Sequence, residues 1–146
     1  MTDHLSSERR SWNMSRIKNK DTKPEIAVRS IIHSFGYRFT VNGPLNRSLP
    51  GKPDLVLRRL NAVVFVHGCF WHRHGCKETT MPKTRTEWWA EKFQKTVERD
   101  RRTAQRLRRS GWSVITVWAC QLHADRREKL KARVLKRLVS LDEKEF

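Results

Sequence analysis

Acidic residues are scarce in this chain of 146 residues: 15 Asp and Glu stand against 32 Lys and Arg, a formal net charge of +17. Self-repulsion of that size opposes compaction, so the imbalance points to a polyanionic partner. Nucleic acid is the first class it suggests and an anionic membrane surface the second. A basic protein without such a partner is the plain alternative. Long apolar runs are missing too. None reaches the roughly 18 residues that a membrane-spanning helix needs. Met1 to Arg10 is polar and lacks the apolar stretch of a secretory leader. The expectation is a cytoplasmic protein with no membrane partner. Cysteine is limited to 3 residues. An odd number in a reducing compartment argues against disulfides and leaves metal binding or free thiols to account for them.

No repeat, low-complexity linker or domain boundary interrupts the chain. The expected organisation is a flexible arm over residues 1–13 and a single domain over 14–146. Hydrophobic residues make up 37%, low but workable for one core. A domain of about 150 residues buries roughly 68–70% of its extended surface.

What is present reads as alternating elements. Thr22, Pro24 and Glu25 open a helix as cap, first-turn proline and capping-box acid. Ile26, Val28, Ile31, Ile32 and Phe35 follow, and Gly36 stops it. Tyr37 to Val41 reads as a strand. A turn-rich loop through Gly43, Pro44, Asn46, Pro50 and Gly51 comes next. Asp54–Leu57 and Ala62–Val66 read as two more strands, the second apolar enough for a sheet centre. Thr84 and Glu87 form another capping box, and the helix behind them runs to about Ser110, with Gly111 past its end. Trp89, Phe93, Val97, Ala104 and Leu107 fall on one of its faces. Its other faces carry Lys95, Arg99, Arg101, Arg102, Arg106, Arg108 and Arg109. Ser113–Trp118 is a fourth strand. Leu130, Val134, Leu138 and Leu141 mark a last amphipathic helix. This is an α/β layout with a mixed central sheet flanked by helices.

Three segments carry chemistry. Cys69, His74 and Cys76 fall within eight residues, and Cys120 stands at the end of the expected fourth strand. Three thiolates and one imidazole make a closed tetrahedral zinc site, a structural arrangement. The alternative is that Cys69 and Cys120 are small buried hydrophobes and His74 a surface residue. Asp54 stands at the mouth of a strand after Leu49-Pro50-Gly51-Lys52-Pro53. That is a frequent position for a metal-binding acid in nucleases, and also an ordinary turn-to-strand junction. The acid-x-Lys partner motif is absent from the next strand, which ends Phe65-Val66-His67. A nuclease built here needs histidine chemistry, and His67 and His72 flank Cys69. Either can take a proton or support charge at phosphorus, or serve instead as a zinc ligand. Magnesium on Asp54 would polarise a phosphate. Glu25 can orient a histidine or simply cap its helix. His33 and His123 read as surface or packing residues.

Six tryptophans exceed what a small core needs. Phe70 and Trp71 sit in the polar Cys–His loop, and Trp88-Trp89 opens the long helix. Apolar side chains in a basic setting can wedge between base pairs, and a mismatched step is cheaper to open. Core packing is the other use of such residues, and Trp112 and Trp118 are assigned to it.

His67-Gly68-Cys69-Phe70-Trp71-His72-Arg73-His74-Gly75-Cys76 resembles the signature loop of the very short patch repair endonucleases. So do Asn13-Met14-x-x-Ile17, Asp21-Thr22-x-x-Glu25, Leu49 to Asp54, Thr84 to Glu87 and Val97-Glu98-Arg99-Asp100. The similarity covers roughly residues 10 to 122, in order. It implies a restriction-endonuclease-like fold with a structural zinc. It also implies a nick 5′ of the T in a T·G mismatch left by deamination of 5-methylcytosine, within a pentameric methylation site. On this resemblance Asp54 and the main-chain carbonyl of Val66 hold magnesium. His72 is the base, Glu25 orients it, and His67 assists at the phosphate. Cys69, His74, Cys76 and Cys120 bind zinc. Phe70, Trp71 and Trp89 wedge from the major groove. Met14 of the N-terminal arm enters from the minor-groove side, Arg16 is a further DNA-binding residue, and Lys92 and Thr96 contact bases. The expected partner is mismatched double-stranded DNA, met as a monomer, with a mismatch-repair protein as a further partner. Two departures stand out: Val66 replaces an expected Thr, and Thr96 an expected amide. A zinc-stapled DNA-binding protein without catalysis would explain charge, cysteines and aromatics. It would leave Asp54, His67 and His72 unexplained as a group.

Overall fold

The computed structural model describes residues 22–69 and 81–144. In chain order these form helix α1 (Lys23–Ser34), helix α2 (Pro44–Ser48), strand β1 (Leu55–Leu57), strand β2 (Ala62–His67), helix α3 (Thr86–Arg109), strand β3 (Ser113–Trp118) and helix α4 (Arg127–Glu143). Short 3-10 turns follow β1 at Arg58–Leu60 and β3 at Ala119–Leu122. The sheet has the order β1-β2-β3. β1 runs antiparallel to β2, pairing Leu55 with Val64 and Leu57 with Ala62. β3 runs parallel to β2, from Ala62 opposite Ser113 to His67 opposite Trp118. The sheet is therefore mixed, with the most apolar strand at its centre.

Alternation along the strands divides the interior between two faces. Leu55, Leu57, Ala62, Val64, Ile115 and Val117 point into the larger cluster. There they meet Val28, Ile31 and Ile32 of α1 and Leu130, Val134, Leu138 and Leu141 of α4. Val56, Val63 and Phe65 point the other way, to Leu107 of α3, with Leu45, Leu49, Trp112 and Val114 packed around them.

The expected elements form with five differences. Tyr37–Val41 contributes only one bridge, in which Thr40 exchanges hydrogen bonds of 2.9 and 3.2 Å with Val56. Asn42 then turns left-handed at φ 58° and Pro44 opens α2, so pairing stops there. The loop expected after it contains that five-residue helix. Thr84 does not cap α3. The cap position is Arg85, left-handed at φ 54°, and the Thr86 hydroxyl bonds back to the Pro82 carbonyl at 3.3 Å. The apolar stripe of α3 is also not buried throughout. Only Phe93 and Leu107 are buried, and Val97 is 44% exposed. A helix of 24 residues is about 36 Å long, whereas strands of 6 residues span about 20 Å, so α3 outruns the sheet it packs on. At the start of α1 only half of the expected capping box forms, because the Glu25 carboxylate turns to Arg29. Thr22 caps α1 through the Glu25 amide at 3.4 Å, and Gly36 and Gly111 take φ of +86° and +89° past their helices. No described helix is long and apolar enough to cross a membrane.

Candidate active site

The sheet's mouth is held open by a side chain standing in for backbone. Leu55 and Leu57 are the β1 residues that bond to β2, so every second β2 residue, 62, 64 and then 66, turns its amide toward β1. β1 has ended by Val66, and the Asp54 carboxylate takes over as acceptor, with the Val66 amide donating to Oδ2 at 2.7 Å. This bond fixes Asp54 at the end of the central strand. It also leaves one carboxylate oxygen and the Val66 carbonyl on the same side of the sheet edge.

The backbone around Asp54 is clasped from below by Asn46 in α2, a buried amide. Its Nδ2 donates to the carbonyls of Thr40, Pro53 and Asp54 at 2.9, 3.1 and 3.3 Å. Its Oδ1 accepts from the Thr40 hydroxyl at 2.7 Å and the Gly43 amide at 3.2 Å. Nothing in the turn-rich sequence marked Asn46 apart from neighbouring turn residues. Only the separation of its partners along the chain reveals the role.

Asp54 opens into a cleft of about 510 Å³ lined also by Glu25, Lys52, His67, Arg99, Asp100 and Thr103. Burial pushes the Asp54 carboxyl up to about 6, and the Glu25 charge adds to the rise. The Val66 amide and Arg29 act against it. Glu25 is buried, and its carboxylate meets the Arg29 guanidinium at 3.5 Å. It also lines the cleft beside Asp54. His67 sits between Phe65, at 5.6 Å between ring centres, and Trp118, edge-on at 5.3 Å. Trp118 is thus half-buried beside the cleft.

Cys69 and Cys120 are both buried. Each lies two residues past the last paired position of its strand, His67 opposite Trp118. The parallel register thus carries both thiols to the same end of adjacent strands, as the sequence order suggested. Met14, Arg16, Phe70, Trp71, His72, His74 and Cys76 lie outside the described residues. So does the arm over 1–13, and with His74 and Cys76 two of the four expected zinc ligands.

The first turns of α3 carry the remaining candidates. Trp89 is half-buried and stacks on Phe93 at 5.4 Å. Its neighbour Trp88, not singled out from sequence, is 44% exposed. The Arg85 guanidinium lies 4.9 Å and the Lys92 ammonium 5.2 Å from the centre of its ring. Thr96 donates its hydroxyl to the Lys92 carbonyl at 3.1 Å, so toward any further group it can act only as an acceptor. His33 and His123 are exposed, as expected.

Acids fixed at a sheet end, an imidazole beside them and a long basic helix along one wall define the class: an enzyme acting on a polyanion. Comparison with known proteins sharpens this. Residues 2–78 match the family described as DNA mismatch endonuclease Vsr. The type II nicking enzyme V.XorIIP of Xanthomonas oryzae is 47% identical over 122 residues, 84% of this chain and 88% of its own. V.NmeAIP of Neisseria meningitidis, also a type II nicking enzyme, is 42% identical over 84% of this chain and 85% of its own. The DNA mismatch endonuclease Vsr of Escherichia coli is 44% identical over 92% of this chain and 83% of its own. The chain belongs to the Vsr family of DNA mismatch endonucleases.

Proposed function

We propose that this protein nicks one strand of duplex DNA 5′ of the T in a T·G mismatch and so starts repair of deaminated 5-methylcytosine. The observation that carries the reading is the Asp54–Val66 bond of 2.7 Å at the head of a cleft shared with Glu25 and His67. Family membership supports the substrate class, as do the names of the relatives.

The donor set fits a hard divalent cation. A bare Asp54 is held near a pKa of about 6 by burial, with Glu25 adding to it. A cation bound there would offset the burial and the Glu25 charge that disfavour the ionised form. Asp54 and the Val66 carbonyl would hold magnesium, which supplies Lewis-acid polarisation of the phosphate when bound. The protein's own groups do the rest. His72 takes the proton of the attacking water, Glu25 orients it, and His67 supports charge growing on the phosphate. Cys69, His74, Cys76 and Cys120 would hold zinc, and two buried thiols at adjacent strand ends suit that use. Phe70, Trp71 and Trp89, with Met14 from the arm, would open the mismatch, Arg16 would bind DNA, and Lys92 and Thr96 would touch bases. The fold would then be of the restriction-endonuclease type, acting as a monomer.

The test is strand nicking of one duplex carrying T·G in a cytosine-methylation context, with and without magnesium. A metal-dependent nick 5′ of the T, absent from the T·A control and from Asp54→Ala, is the expected result. Tight binding without a nick would reduce the protein to a binding module. Cutting of both duplexes would keep the nuclease and discard mismatch repair, in line with relatives named only as nicking enzymes. Metal analysis of the same preparation should find one zinc per chain, lost with a lowered melting temperature in Cys120→Ala. An unchanged zinc content removes Cys120 from the set.

A further inference from the structure

Four described residues other than glycine adopt a left-handed backbone: Asn42, Lys52, Asn61 and Arg85. Asparagine tolerates that region because its short amide bonds locally, so positions 42 and 61 are ordinary. Lysine has no such help. A side chain kept in a strained conformation where asparagine or glycine would relax it points to use of that side chain.

Lys52 lies on the wall of the Asp54 cleft. It follows Gly51, itself at φ +76°, so two consecutive left-handed residues make the bend. The bend is over-determined. The Lys52 amide donates to the Leu49 carbonyl at 3.1 Å, and Pro53 behind it is buried. A Cβ on Gly51 would collide with Thr103 of α3, so the loop is pressed against the opposite wall. The Asn46 clasp on the Pro53 and Asp54 carbonyls fixes the far end. Lys52 therefore leaves a rigid platform two residues from the metal-type acid.

The charges of the cleft say what it meets there. Three carboxylates line it, Glu25, Asp54 and Asp100, against two permanent cations, Lys52 and Arg99. Arg99 already leans toward Asp100 at 3.9 Å. A phosphodiester entering this acid-rich cleft gains negative charge as water adds to phosphorus, and a fixed ammonium beside it stabilises that change.

We infer that Lys52 is a catalytic residue of this nuclease: its ammonium contacts a non-bridging oxygen of the scissile phosphate and supplies the lysine that the strand ending in Phe65-Val66-His67 lacks. The inference rests on the endonuclease reading above. In the step, the water oxygen bonds to phosphorus and the bond to the leaving sugar oxygen breaks. The water's proton goes to the histidine base and a solvent proton to the leaving oxygen. Lys52 stays protonated throughout.

Three variants test this in one nicking assay with wild type alongside. Lys52→Met should lower kcat about 100-fold, as loss of one preorganised contact does, while affinity for the uncut duplex stays within about threefold. Lys52→Arg keeps the charge and should recover most of the rate. Lys52→Gly relaxes the backbone, so its melting temperature should rise by about 2 °C or more even as its rate falls like that of Lys52→Met. That opposition of stability and rate is not produced by a merely structural lysine. Wild-type nicking with an unaffected Lys52→Met overturns this assignment alone. So does a loss confined to duplex affinity, which would make Lys52 a steering charge. A wild type that nicks no duplex overturns the endonuclease reading and this assignment with it.

Discussion

The two faces of the sheet are built to different standards. On one, α1 and α4 close over fifteen buried residues, and α4 spends four of its apolar side chains there. On the other, α3 is the longest helix described yet buries only Phe93 and Leu107, and the cluster beneath it has four buried members. The first face holds the molecule together. The second is left thin so that a cleft and a basic helix can stand at the sheet's end. Catalytic clefts are drawn from the weakly packed parts of a fold because a ligand has to enter them.

The sharpest way to break this contrast is to remove side chains from both helices. Leu138→Ala on α4 empties a fully buried site and should cost about 2–5 kcal/mol, read from the midpoint of urea unfolding. Val97→Ala on the exposed part of α3 should cost less than about 0.5 kcal/mol. Equal losses would mean that the two faces contribute alike.

A second test concerns what the cleft costs. The Asp54 pKa is raised in the fold, from 3.8 to about 6, mainly by burial. Without metal, the folded chain therefore binds the proton more tightly than the unfolded chain. The stability this gives is present in full below about pH 4 and is lost as pH rises through about 6. Asp54→Asn removes the dependence. With chelator present, the variant should match wild type near pH 4 and exceed it near pH 8 by up to about 2–3 kcal/mol. Magnesium should narrow that gap by stabilising wild type alone. A variant less stable at both pH values would contradict a strained, metal-ready acid.

The smallest effect on stability should come from the outer face of α3. Replacing Arg101, Arg102 and Arg106 together by Gln should move the unfolding free energy by less than about 0.5 kcal/mol. Duplex affinity should fall, and its dependence on the logarithm of salt should flatten by up to about 3 in slope. An unchanged slope would place the DNA elsewhere.

What sequence made legible follows the same division. Periodicity exposed α1, β2, β3 and α4 because burial there is regular, and Cys69 and Cys120 fell at matching strand ends because the strands did. Periodicity misled on α3, where Val97 obeys the helical pattern without having a core to enter. It also overstated Tyr37–Val41, where Tyr37 and Phe39 pack on the core but only Thr40 pairs, with Val56, before Asn42 turns the chain away. Asp54, Glu25 and His67 were legible and do share one cleft. Asn46 and Lys52 were not: one acts through bonds to backbone carbonyls, the other through a left-handed bend, and neither leaves a pattern of residue types. Trp88 was passed over for Trp89 because a sequence does not say which of two adjacent indoles faces out.

The walls of the cleft run from Glu25 through Asp54 and His67 to Thr103 and Thr116. A chain emerging from the ribosome has Asp54 and His67 early but lacks α3 and the parallel partner of its central strand until residues past 113 have been made. No shorter nascent fragment encloses the site. A cleft laid out this way exists only once segments far apart in the sequence have met, so it is a property of the folded chain and of no single stretch.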